Sequence, residues 1–179
     1  MSVHGLSSIV LLVLLAVSSA GGQDREYRMK AVFLDKFTHF VQWPADAVVA
    51  DTSAPFVVGV IGDNPFGSAL EKIYAQRRIK QKAVEVRYQV DLDAVTECNL
   101  LFIARSAADR LPAIIARTAD KPILTIADTR GFAERNVLIN FYRHEDKVKF
   151  EINERAVHTS GLTFSYLLLN LARIVNPLR

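Results

Sequence analysis

The residues of this chain best placed for chemistry sit where apolar strands hand over to helices. Gly62-Asp63-Asn64-Pro65-Phe66-Gly67 leaves the apolar run Phe56 to Gly62 and opens a helix; Asp128-Thr129-Arg130-Gly131-Phe132 leaves a second run, Pro122 to Ala127. In open α/β sheets ligands bind at such carboxyl ends, because the free backbone amides there face outward. Asp63, Asn64, Phe66, Asp128, Arg130 and Phe132 are therefore the candidate ligand or partner contacts. The glycines form neither a dinucleotide fingerprint nor a phosphate loop with its lysine. Tight turns held by Asp and Asn side chains account for the same residues.

Other chemistries find no constellation. A zinc centre needs several ligands at close spacing, and the chain offers one cysteine, with His39, His144 and His158 scattered beyond the leading segment. There is no Gly-x-Ser-x-Gly elbow of the layered serine hydrolases. His158, Thr159 and Ser160 are consecutive, and neighbouring positions on a helix point in different directions, which is poor geometry for a nucleophile and its base. Cys98 leads directly into an apolar strand and reads as a small packed residue. The expectation is a protein without catalytic residues, metal or cofactor.

The elements that must carry these loops alternate between strand and helix. Phe56 to Gly62 has no polar face, so helices must cover both of its sides, and it belongs in the middle of a sheet. Before it, Met29, Val32, Phe33, Phe37, Phe40 and Val41 recur at helical spacing within Arg25 to Val41, predicting a helix that buries this stripe and turns Arg28, Lys30, Asp35 and Lys36 outward. Trp43-Pro44 stops it, and Ala45 to Pro55 reads as a loop with a short helical turn. Asn64 and Pro65 suit a cap and first turn for a helix over Phe66 to Gln76.

A basic connector, Arg77, Arg78, Lys80 and Lys82, leads to a strand from Ala83 to Val90, and Asn99 to Ala104 is again apolar throughout. Ser106 and Asp109 suit the start of a helix running to about Thr118. Val137 to Tyr142 and Val148 to Ile152, joined by a short polar link, should pair as an antiparallel hairpin at one side of the sheet. A last helix is expected over Leu162 to Val175, burying Phe164, Leu167, Leu168, Leu171, Ile174 and Val175. The fold class is α/β: a single layered domain with a mixed, mostly parallel sheet, helices on both faces, and a C-terminal antiparallel hairpin plus helix.

Residues 1–20 contain no Lys, Arg, Asp or Glu; Ile9 to Val17 is apolar, and Ser18, Ser19 and Ala20 are small. That is the pattern of a secretory signal peptide cleaved near Ala20, too short to stay as a membrane span, leaving residues 21–179 as the domain. The net charge of +3, spread over both signs and without a basic-aromatic array, does not point to nucleic acid. A single cysteine permits no internal disulfide, so packing alone must hold the domain.

Several blocks in this order resemble the YfiR family, also described as a domain of unknown function in periplasmic proteins. They are Lys30 to Leu34, Phe40 to Pro44, the Val58 to Phe66 strand and turn, Cys98 to Ala104, Lys149 to Asn153, and a closing segment through Ala156, Gly161, Leu168, Leu171 and Ala172. The resemblance implies a periplasmic regulator that binds the periplasmic sensor region of an inner-membrane diguanylate cyclase and holds it inactive. It also implies that an OmpA-like outer-membrane protein can relieve this by sequestering the regulator. Where the best-described members carry cysteine pairs, this chain has Cys98 alone. Protein contact predicts an exposed apolar patch near Phe66 or Phe132. The alternative is a periplasmic small-molecule receptor with a pocket between Asp63-Asn64 and Asp128-Arg130.

Overall fold

Phe56–Ile61 is buried at every position, and the sheet extends from it on both sides. The computed structural model describes residues 5–45 and 53–175, with side chains from residue 21 onward. In chain order the elements are α1 (Gly5–Phe40), β1 (Val41–Gln42), β2 (Phe56–Ile61), α2 (Ala69–Tyr74), β3 (Arg78–Ile79), β4 (Lys82–Arg87), β5 (Leu100–Ile103), α3 (Leu111–Thr118) and β6 (Leu124–Ala127). There follow β7 (Ile139–His144), β8 (Lys147–Asn153), α4 (Glu154–Ser160), β9 (Thr163–Phe164), α5 (Tyr166–Leu171) and β10 (Arg173–Val175). The loop expected over Ala45 to Pro55 falls largely outside the described residues, as do the side chains of the proposed signal segment.

Eight strands form one sheet in the order β10-β8-β7-β6-β5-β2-β4-β3. The hairpins β7–β8 and β3–β4 are antiparallel and the remaining pairs parallel. The chain goes from β2 to β4 on one side and returns to β5 on the other, so the direction of winding reverses between β2 and β5. The α/β class, the single layered domain and the interior position of the Phe56 strand agree with the sequence reading. The hairpin lies toward one side of the sheet as expected, but β10 adds a further strand outside it.

Alternation along the strands builds two cores. Phe56, Val58 and Val60 face α1, α2, α4 and α5, while Val57 and Ile61 face α3 and its neighbouring turns. Phe37 of α1 stacks on Phe141 and meets Phe150 edge-on, with ring centroids 5.7 and 4.9 Å apart. Burying a ring or a leucine of this kind contributes about 1.5–3 kcal/mol, so Leu34 and Phe37 are major anchors of α1.

Three local expectations fail, each for a local reason. Asn64 does not cap a helix; its Oδ1 accepts from Phe66 N and its Nδ2 donates to Gly67 O, closing a turn that delays α2 to Ala69. Ser106 does not cap α3 either, since its Oγ accepts from Asp63 N and a tight 3₁₀ segment, Arg105–Arg110, precedes Leu111. The expected last helix is broken into β9, α5 and β10. Ser165 caps α5 by accepting from Leu168 N, and Phe164 pairs with Val41 in a separate two-stranded ribbon.

Candidate functional site

The six sequence-selected residues flank the carboxyl edge of the sheet, but they do not converge on an open cleft. Phe66 is only 2% exposed, its ring lying edge-on to Phe102 at 4.7 Å and to Tyr27 at 5.5 Å. Phe132 is equally buried, in the opposite core. Neither ring offers the exposed patch expected near it; both are core. Asp63 and Asn64 are exposed, but Asp63 N–H and both Asn64 side-chain polar atoms are engaged in shaping the turn. Arg130 is exposed.

Asp128 is the most constrained of the six. Its Oδ2 accepts from Lys30 Nζ at 2.6 Å and from Tyr27 hydroxyl at 2.7 Å, with the side chains of Lys30 and Asp128 each 6% exposed. Lys30 also pairs with Glu26 at 2.7 Å. Burial, and then the negative charge of Asp128, push the Tyr27 phenol well above its ordinary range, so it stays a donor. Through its Oδ2 this carboxylate clamps α1 to the end of β6. Cys98 lies against Gly59, and burial pushes its thiol up to about 11, which keeps it protonated near neutrality.

The surface left open lies elsewhere, along α1 and α5. On α1 the buried positions are Lys30, Ala31, Leu34, Asp35, Phe37 and Thr38, whereas Met29, Val32 and Phe40 are exposed. The stripe expected to be buried is thus half outside, and Lys30 and Asp35, expected outside, are inside and paired. Asp35 takes its partner from Arg77. On α5, Tyr166, Leu167 and Leu171 are 75, 64 and 73% exposed, and Ile174 follows on β10. The N–H of Ser165 donates to Phe40 O, pinning the start of α5 to the end of α1. Large apolar side chains left uncovered along one seam are what a partner surface requires.

At one end the seam opens into a groove of about 700 Å³ between the Gly22 to Phe33 stretch of α1, the β7–β8 hairpin and α5. Met29, Phe33, Val148, Phe150 and Leu171 contribute its apolar lining, and Arg25, Arg143, Lys147 and Lys149 its cations. A second cavity, about 740 Å³, lies at the opposite ends of β5 and β6, beside Cys98, Pro122 and Gly161.

Periodicity assigned Met29, Val32, Leu167 and Leu171 to buried stripes and passed over Tyr166, yet all five are exposed. Two signals mark them in hindsight. Within α1 the apolar residues Met29, Ala31, Val32, Phe33, Leu34, Phe37 and Phe40 span more arc than one core-facing stripe can bury. In Tyr166-Leu167-Leu168-Leu169, four successive large residues point around a helix of which one side meets the core.

Among curated proteins no match to the chain is found. The family described as YfiR/HmsC-like matches residues 27–173, from the Tyr27 clamp to the first residue of β10. That span contains both the α1–α5 seam and the six sequence-selected residues, and membership supports a regulatory role in cyclic-di-GMP signalling in general. The chain belongs to the YfiR/HmsC-like family.

Proposed function

We propose that this protein is an exported periplasmic regulator that binds and represses the periplasmic sensor region of an inner-membrane diguanylate cyclase, lowering cyclic-di-GMP without making or breaking the nucleotide itself. The observation that carries the reading is the uncovered apolar seam of α1 and α5, on a domain whose carboxyl-edge Asp128 is taken by Lys30 of α1. Seating Leu167, Leu171 and Met29 in a partner's surface would bury side chains worth about 1.5–3 kcal/mol each when fully covered. The fully buried core of a protein interface is its most apolar part. An OmpA-like outer-membrane protein that sequesters the regulator would compete for the same seam.

The test is cellular cyclic-di-GMP in the source bacterium with the gene deleted, compared with the same strain carrying an exported copy and a copy lacking residues 1–20. Deletion should raise the nucleotide and the exported copy alone should restore it. Crosslinking from a photoreactive residue at Leu167 should then capture a membrane protein with a cyclase domain. Unchanged nucleotide levels, with the protein shown to be present, would overturn the reading.

A further inference from the structure

The groove beside α1 is polarised along its length, and both of its long walls change character in the same direction. On the α1 wall Arg25 comes first, Met29 one turn further in and Phe33 another turn beyond. On the hairpin wall the turn end carries Arg143, and the strand then presents Val148 and Phe150 toward α1, while Lys147 and Lys149, at the alternate positions, line the strand's edge. Leu171 of α5 closes the inner end, near the register where Arg173 pairs with Glu151. One end is therefore cationic and the other apolar.

The charge at the outer end is not cancelled. Glu26 is taken by Lys30 and Arg143, and Asp146 by Arg143. Among the described residues no carboxylate pairs with Arg25, Lys147 or Lys149. A volume of about 700 Å³ suits a small organic molecule. An amphipathic helix fits poorly, because it carries its charges and apolar residues on opposite faces along its whole length, not at opposite ends, and with side chains it is about 10–12 Å across.

We propose that this groove binds a free single-chain amphiphile with an anionic head, of the fatty-acid or alkyl-phosphate class. The head pairs with Arg25 and is drawn by the unpaired cations at the edge of the hairpin, Lys147 and Lys149, and the chain lies against Phe33, Phe150 and Leu171. Because Met29 and Leu171 belong both to the groove and to the seam, an occupied groove changes the surface offered to a protein partner. Binding itself does not depend on the cyclase reading, and the test uses the protein alone.

The experiment is displacement of a fluorescent dansyl-undecanoate probe from the purified protein, produced from the full-length gene, by monomeric dodecanoate or dodecyltrimethylammonium. Dodecanoate should displace at concentrations about ten-fold or more below its cationic counterpart, the factor expected from charge-assisted contacts at the head. Lys147→Glu with Lys149→Glu, exposed positions on the hairpin, should erase or invert that preference, and Leu171→Asp should abolish binding of both. Equal displacement by the two head groups, an unchanged preference in the lysine variant, or capture only on anionic phosphatidylglycerol vesicles with none of the monomer, would each overturn the proposal.

Discussion

The two faces of α1 each depart from the usual arrangement of a surface helix. The face toward the sheet buries Lys30 and Asp35 beside Ala31, Leu34 and Phe37, while the face toward solvent carries Met29, Val32 and Phe40. A buried charge is tolerated only when paired, and here each has its partner on another element: Lys30 on Asp128, and Asp35 on Arg77. Exposed apolar side chains have no such local compensation. The inner face is explained by this chain alone; the outer face is the surface that the proposed partner contact would cover.

The sharpest way to break that comparison is to remove one buried charge. Lys30→Met keeps the stem but strands Asp128, whose side chain is 6% exposed, with only the Tyr27 hydroxyl. The expected loss is about 3–5 kcal/mol in urea unfolding, the cost of an uncompensated buried ion. Asp35→Ala should cost less, about 1.5–3 kcal/mol, because the partner it abandons, Arg77, has a side chain 59% exposed and is resolvated. Equal losses in the two variants would mean that burial of the stranded partner is not what matters.

A third effect follows from Tyr27. Its folded-state pKa is raised by burial and by Asp128, so its contribution to stability is complete below the unfolded value, about 10, and is lost as pH rises above it. Tyr74 and Tyr88 shift in the same direction, each chiefly through burial. Melting temperatures measured across alkaline pH should therefore begin to fall above about pH 9, where the unfolded Cys98 thiol ionises, and fall more steeply above about pH 10 as the unfolded tyrosines follow. Tyr27→Phe should make that fall shallower. The smallest expected change in stability belongs to the outer face: Met29→Ser with Val32→Ser should stay within about 0.5 kcal/mol of the parent in the same unfolding assay.

Much of the sheet was legible in the residues. Phe56–Ile61 and Leu100–Ile103 are apolar on both faces because helices or tight turns cover both sides, and that leaves no alternative to an interior strand; Leu124–Ala127 is as fully buried, but its Thr125 hydroxyl accepts from the Leu138 amide. The hairpin was legible from its polar link. The proposed contact surface was not, and the reason is physical: helical periodicity reports where apolar residues lie, and an exposed apolar stripe has the same spacing as a core stripe. At Leu162 to Val175 the two kinds of residue are interleaved, Phe164 and Leu168 buried, Leu167 and Leu171 exposed. Reading them as one stripe produced a long helix where the chain makes strand, one short helix and strand.

Asp128 misled for a related reason. A carboxylate past a strand end looks the same in sequence whether it awaits a ligand or is claimed by a lysine 98 positions earlier.

The outer face is tested most directly by Leu167→Ser with Leu171→Ser, exported in a strain lacking the native gene, with cyclic-di-GMP measured beside wild-type complementation. The protein should accumulate and melt as the parent does, because both side chains are already in solvent, yet fail to lower the nucleotide. Full repression by the double variant would contradict the account and return the search for a contact surface to the rest of the domain.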